Sequence, residues 1–380
     1  MKRVIEILFL SVIVAISLSC NIDKEITTAL PPNIINNGKT SYRLQVGDEI
    51  RLAPNIENDH EASFSWSIEG SVVSTERAYI FTAESRGRVY ITFCVTTTSG
   101  EAKQEYTIDV IDRFTVYDYT PAPGQFINEL KTGGFDGTQT TPELAIAYAE
   151  RRLTEGSWVS LGGFGGYIII GLDQSIDNGE GADFAIACNT FDGSSEPGIV
   201  WVMKDENGDG EPNDRWYELA GSETGKSETV QNYEVTYYRP TEAMMPVEWT
   251  DNQGNSGAIS YLESFHSQEY YYPLWIEADS YTLRGTLLKA RNYDSTGSGA
   301  MWVNPHYDWG YADNASPEDY VTAERANHFD IANAIDGQGG AVTIEHIDFV
   351  KVQCAVQAES GWHGELSTEV CGLYNLTNNI

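Results

Sequence analysis

Apolar and polar positions alternate with a period of two through most of this chain. Between residues 42 and 112 the alternating runs are 42–46, 49–52, 63–68, 78–81, 88–96 and 104–111. Turn signals such as Val46-Gly47-Asp48 and Thr98-Ser99-Gly100 separate them. Successive side chains of a strand point to opposite faces, so the pattern predicts half-buried strands. Several such strands at short intervals predict a small β-sandwich over 42–112. In the run 63–68, Phe64, Trp66 and Ile68 share a face, which makes Trp66 the expected centre of the core.

The period changes once. Thr140-Thr141-Pro142-Glu143 provides an N-cap and a proline in the first turn. Leu144, Ala147, Tyr148 and Leu153 then share a predicted helix face that ends near Gly156. Strand-like runs resume at 158–161, 167–172, 183–189, 199–203, 215–219, 235–238, 247–250, 341–356 (read as a strand pair) and 365–374. Gly162-Gly163-Phe164-Gly165-Gly166 lacks phosphate-loop spacing and a following helix, so it reads as a tight hairpin or bulge. The expected fold class is all-β. A small sandwich at 42–112 is followed by a larger jelly-roll-like sandwich at 114–380 that carries one short helix. Segment 20–41 reads as a polar tether and 113–137 as a connector.

Charge narrows the partners. The 380 residues carry a formal charge of −33. Nucleic acid and anionic membrane surfaces call for clustered Lys and Arg, so neither is an expected partner. The N-terminus reads as a targeting segment over 1–19. Lys2 and Arg3 precede an apolar stretch at 5–16, interrupted by Glu6 and Ser11. Ser17-Leu18-Ser19-Cys20 then resembles a bacterial lipobox, although the usual leucine position is shifted. That resemblance implies cleavage before Cys20 and a lipid on its thiol; the alternative is an ordinary secretory signal. Asp23 and Glu25 resemble the surface-export signal of Bacteroidetes lipoproteins and imply the outer face of the outer membrane, with membrane contact through the lipid alone. Of the remaining cysteines, Cys94, Cys188, Cys354 and Cys371, the last two lie in late strand-like runs and either pair or stay buried as thiols.

Two stretches concentrate candidate chemistry. In 204–218, Asp205, Asn207 and Asp209 alternate and Gly210 follows, the front half of an EF-hand-type loop. Trp216 stands where the closing Glu belongs, so Glu211 and Asp214 join the candidate ligands of a structural Ca2+. The competing reading is a solvated acidic hairpin. Glu180 or Asp183 of the turn at 177–183 extends the same idea. The second stretch is aromatic, comprising 270–275 and a Gly- and Pro-flanked loop at 302–311. Tyr270, Trp302, Asn304, His306, Tyr307, Asp308, Trp309 and Tyr311 are the candidate ligand-binding residues, because exposed rings stack on sugars or flat macrocycles. Tyr271, Trp275 and Trp302 read equally well as core. No nucleophile elbow or zinc-protease motif occurs, and the six histidines are scattered. The chain is therefore expected not to be an enzyme.

The motifs VSLGGFGGYI at 159–168, NGEGADF at 178–184, DENGDGEPNDRWYELAGSE at 205–223, FDIANAID at 329–336, IDFVKVQ at 347–353 and STEV at 367–370 recur in order in a family of bacterial cell-surface proteins that 114–380 resembles. The domain at 42–112 resembles Ig-like and PKD-like surface modules. The combined architecture is similar to Bacteroidetes surface lipoproteins encoded with TonB-dependent transporters, one group of which binds cobalamin. The resemblance implies a surface-exposed lipoprotein that binds a small nutrient ligand, cobalamin (vitamin B12) first, and delivers it to a TonB-dependent outer-membrane transporter. Cobalamin here is a ligand, not a catalytic cofactor. The alternatives are a glycan-binding lipoprotein of a polysaccharide-utilisation system and a structural or adhesive module. No residue role carries over from the resemblance.

Overall fold

The computed structural model describes residues 29–35 and 38–377. Cys20, its lipobox and the export signal lie outside the described residues. The described residues fold as expected into almost pure β-structure with one α-helix. Among the described residues no helix is long and apolar enough to cross a membrane.

The small sandwich has a five-stranded sheet ordered Ser41–Gln45, Gly100–Ile111, Gly87–Thr97, Ser63–Ile68 and Ser71–Ser74. The pair Glu49–Leu52 with Tyr79–Thr82 supplies Leu52 and Phe81 to the same core. Trp66 is fully enclosed among Tyr79, Phe93 and Tyr106, with ring centroids 4.5–5.8 Å away. Its indole N–H donates to the Glu76 carbonyl at 2.9 Å, so burial leaves no donor unpaired. The tether is shorter than expected. Asn33–Ile35 pairs with Asn55–Glu57, and Ile34 packs against the sandwich core.

The large unit buries one core between two antiparallel sheets. The six-stranded sheet runs Phe114–Thr120, Tyr167–Asp177, His346–Cys354, Gly198–Met203, Trp216–Leu219, Ala334–Ile335. The four-stranded sheet runs Tyr320–Val321, Ala326–Phe329, Phe184–Ala187, Gly372–Asn375. Ile168, Ile170, Val200 and Val352 from the first meet Phe184, Ile186 and Leu373 from the second. A third sheet, Ser256–Ile259, Val247–Asp251, Val230–Tyr238, Ser280–Leu287, has its own core around Tyr237 and Tyr271. Phe114–Thr120 begins within the segment read as a connector. The run 341–356 gives one strand, His346–Cys354, instead of two. All four described cysteines are free, so Cys354 and Cys371 do not pair.

The helix is Pro142–Thr154, with the Thr141 hydroxyl accepting from the Leu144 N–H at 3.4 Å. Its buried stripe is Ala145, Tyr148, Ala149 and Leu153, while Leu144 and Ala147 face solvent. Two alanines on the inner face let the helix lie close on Phe114–Thr120. The glycine run is not a hairpin. Val159–Ser160 before it pairs with Glu369–Val370, whereas Tyr167–Asp177 after it joins the six-stranded sheet. The turn is packed so tightly that a Cβ at Gly162 would lie 2.0 Å from the Ala122 carbonyl, and Gly162 has φ +67°. Only glycine fits there without strain.

Arginines hold the two units together. Arg113 donates to the Val46 carbonyl at 2.9 Å and pairs with Asp48. Arg86 donates to the Asn375 carbonyl at 2.5 Å, and Asp112 accepts from the Asn375 N–H at 3.0 Å. The expected outcome for Trp66→Ala is a loss of about 3–5 kcal/mol, the usual range for removing a buried large aromatic. Denaturant unfolding followed by fluorescence measures it; a change within 0.5 kcal/mol is the opposite result.

Candidate functional site

Loops from distant parts of the chain meet around a cavity of about 390 Å³. Its lining brings together the aromatic residues Phe126, Trp158, Phe191, Phe265, Trp302 and Trp362. Four of these rings, with His266 and His363, form two groups. Phe126 meets Trp158 edge-on at 5.1 Å and His266 at 4.7 Å. Phe265 meets Trp362 at 5.6 Å, and Trp362 lies 3.7 Å from the His363 ring. Phe191, Phe265 and Trp362 are 66%, 56% and 43% exposed, unusually high for rings of this size.

Backbone geometry fixes the wall. Gly361 (φ +58°) lies so close to Trp302 that a Cβ there would sit 2.3 Å from the indole nitrogen. Ser360 donates its hydroxyl to the Asn304 side-chain oxygen at 2.8 Å. The Asn304 N–H donates to the Gly193 carbonyl at 2.8 Å, which ties the loop carrying Phe191 to the same wall. Gln125 donates its backbone N–H to Glu365 at 2.8 Å and its side chain to the His363 carbonyl. Three polar atoms of the lining residues, the Trp302 Nε1, His266 Nδ1 and Glu369 Oε1, are enclosed without a hydrogen-bond partner. Burial lowers the pKa of both His266 and His363, so both rings are neutral at neutral pH.

The floor is acidic. Glu196, on the loop before Gly198–Met203, and Glu369, paired with Ser160 across the strand ladder, both line the cavity. Asp313 lies behind them, fully buried. One carboxylate oxygen from each falls within 4.8 Å of the others. Burial first, and the neighbouring carboxylates second, push the pKa of Glu196 and Asp313 well up. Burial brings Glu369 to about 7. Among the described residues, none of the three makes an ion pair with a basic side chain. Such a cluster can share protons or hold a cation.

The aromatic stretch expected to bind ligand is divided by the fold. Trp302 and Asn304 line this cavity. Tyr307 and Tyr311, 2% and 1% exposed, belong to the core instead. Tyr307 donates to the Lys289 carbonyl at 2.7 Å, and the Tyr311 hydroxyl accepts from the Glu223 N–H at 2.9 Å. Their apolar surface outweighs a glycine neighbour as a guide to exposure. Trp309 borders a separate shallow cavity beside Asp319 and His328. His306 accepts a hydrogen bond from Arg291 through its carbonyl, at 2.9 Å. Asp308 is exposed, its carbonyl bonded to the Ser316 hydroxyl. Tyr270 is half-buried away from the cavity lining, its carbonyl accepting from Asn128 at 2.9 Å. Tyr271 and Trp275 are core.

The acidic loop does form a hairpin, with Met203 opposite Trp216. Its side chains turn inward on its own backbone. Asp205 accepts from the Gly208 and Gly210 N–H groups at 2.7 and 2.8 Å, and Asn207 from Asp209 at 2.8 Å. Asp209 accepts from the Glu211 N–H at 2.9 Å, and Asp214 from Glu206 at 2.8 Å. Among the described residues, the one cluster of three metal-ligating side chains is Glu196, Asp313 and Glu369, not this loop. Asp183 likewise serves structure: it is 1% exposed and accepts from Gly179 and Ile331 at 2.7 and 2.8 Å. Phe191 and Trp362 sit in Phe-Asp-Gly and Gly-Trp-His-Gly contexts. Aromatic residues flanked by loop formers are therefore a signal that extends to residues the sequence reading passed over.

A PKD-like domain model matches residues 31–97. No curated protein matches the chain. Among solved structures, a quinonprotein alcohol dehydrogenase-like protein from Bacteroides thetaiotaomicron is similar at 12% identity and TM-score 0.21, with 60% of this chain and 48% of that one covered. This chain thus spans about half the length of that protein. A SusE-like protein gives 10% identity and TM-score 0.22, covering 91% and 97%. The Bacteroides ovatus mixed-linkage glucan locus protein SGBP-B, solved with a mixed-linkage heptasaccharide, gives 10% and 0.18, covering 84% and 99%. Similarity at this level leaves function to the site itself.

The carboxylate floor gives a pH expectation. A folded pKa near 7 for Glu369, against an ordinary 4.5, means the folded chain binds more protons between those values. The stabilising contribution is complete below about pH 4.5 and is lost as pH rises through 7. In chelator, the melting temperature is expected to fall by several degrees from about pH 5 to pH 8, and less steeply in Glu369→Gln. Differential scanning calorimetry measures both slopes; identical slopes would remove the cluster as the cause.

Proposed function

We propose that this protein is a surface lipoprotein that binds a neutral glycan in the aromatic cavity. The observation that carries this reading is the ring of exposed aromatic side chains, Phe191, Phe265 and Trp362, around a polar floor. A pyranose has apolar C–H faces that stack on such rings and hydroxyls that both donate and accept. The exposed rings supply the stacking faces, and the carboxylates of the floor supply acceptors for the hydroxyls. The protein's net negative charge argues for a neutral sugar over an acidic one. Anchoring through Cys20 and delivery to a TonB-dependent transporter complete the proposal, on the sequence features already described.

Cobalamin is the competing ligand. A cavity of about 390 Å³ stands at the low end of small-ligand sites. It suits one or two sugar rings better than a corrin with its peripheral amides and nucleotide loop. The test is calorimetric titration with a panel of neutral oligosaccharides and with cyanocobalamin. At least one oligosaccharide should give saturable heat, with Trp362→Ala weakening it by roughly 2- to 10-fold, the worth of one aromatic stacking contact. Reducing ends should stay constant on prolonged incubation, because binding occurs without turnover. Heat from cyanocobalamin alone would replace the glycan reading with the cobalamin one.

A further inference from the structure

The carboxylates beneath the cavity are more numerous and closer together than accepting a sugar hydroxyl requires. Glu196, Asp313 and Glu369 come from three separate segments and bring one oxygen each within 4.8 Å of the others. Two oxygens facing each other across a calcium ion, each about 2.4 Å from it, lie about 4.8 Å apart. A second observation is independent of that spacing. Asp313 Oδ1 and Glu369 Oε1 belong to side chains 0% and 3% exposed, and neither accepts a hydrogen bond. An enclosed carboxylate oxygen without a donor is costly, and a cation answers it directly. The remaining Asp313 oxygen is already positioned, accepting from the Glu369 N–H at 2.9 Å. Glu196 keeps partial exposure at the cavity floor, which leaves one side of the cluster open to water or to a ligand hydroxyl.

We propose that Glu196, Asp313 and Glu369 bind a single hard divalent cation, calcium, at the floor of the aromatic cavity. The donor set is all oxygen, which selects a hard ion over zinc or copper. Three carboxylates from separate segments and a partly open side favour calcium, which tolerates irregular oxygen geometry, over magnesium, which demands a near-ideal octahedron. The ion offsets the mutual repulsion of the three acids and fixes the seam between the loop before Gly198–Met203 and the strand Glu369–Val370. This site is distinct from the acidic loop at 204–215, whose carboxylates bond their own backbone.

The test uses the whole chain, stripped with chelator and titrated with calcium chloride in the absence of sugar. It therefore stands apart from the glycan reading, which can fail while calcium still binds. The expected result is one calcium per chain and a melting temperature that rises with calcium. Glu369→Gln and Glu196→Gln should each weaken binding at least tenfold, while Asp209→Asn in the acidic loop leaves it unchanged. Near-ultraviolet circular dichroism matched to wild type establishes that each variant is folded. The conservative Glu196→Gln change, at the least buried of the three positions, keeps the test decisive if the Glu369 variant fails to fold. Absence of calcium heat in the stripped wild type overturns the proposal and leaves shared protons as the cluster's state. Loss of binding in Asp209→Asn with the two Glu variants unaffected overturns it too, and returns the ion to the acidic loop.

Discussion

The large domain depends on what happens where its central strand ends. His346–Cys354 is hydrogen-bonded on both sides, to Tyr167–Asp177 and to Gly198–Met203. At its last residues the ladder turns into a junction. The Cys354 N–H donates to the Gly166 carbonyl at 2.9 Å, and the Cys354 carbonyl accepts from Gly165 at 3.0 Å. The Ala355 N–H donates to Pro197 at 3.0 Å, and its carbonyl accepts from Leu288 at 2.9 Å. One buried dipeptide thus fixes the glycine turn, the residue after Glu196 and the entry from the third sheet. Buried backbone groups must be paired, so none of these segments can shift alone. Gln353 reinforces the junction, its side-chain N–H groups bonded to the Gly165 and Arg284 carbonyls at 2.8 and 3.1 Å.

That rigidity explains how a site can be built from loops. The cavity's aromatic rings span positions 126 to 362, and the Glu196 segment at its floor is tied to the junction through Pro197. The segment before Gly198–Met203 brings Glu196, and Glu369–Val370, paired with Val159–Ser160, brings Glu369. Rings on such a frame need little ordering when a ligand arrives, which preserves binding energy. The small sandwich stands apart from this chemistry. Its core closes around Trp66, and its joint to the large domain runs through Arg86 and Arg113, neither of which lines the cavity.

Carboxylates play opposite parts in two places. In the acidic hairpin they are exposed and stabilise turns by accepting backbone N–H groups, as Asp and Asn commonly do. At the cavity floor they are enclosed and close together, and one oxygen each of Asp313 and Glu369 has no hydrogen-bond partner. The same residue type is inexpensive in the first setting and demanding in the second, because desolvation raises the free energy of the charged form.

The sequence by itself determined the β-class, most strands of the small sandwich, the centrality of Trp66, the capped helix and the acidic hairpin. Each follows from local periodicity or turn chemistry, with interactions confined to neighbouring residues. It also singled out Trp302 and Asn304, because loop formers beside an aromatic residue are visible locally. Only the tertiary structure decided that Tyr307 and Tyr311 face inward, since a loop can turn either face of itself to the core. Local spacing likewise misplaced the helix stripe by one position at Leu144 and turned a sheet crossover at Gly162–Gly166 into a hairpin. The meeting of Glu196, Asp313 and Glu369 could not be read at all. With 56 acidic residues in the chain, no spacing rule selects three of them, and only long-range pairing brings those three together, the Glu196 N–H on the Asp313 carbonyl and the Glu369 N–H on the Asp313 carboxylate, each at 2.9 Å.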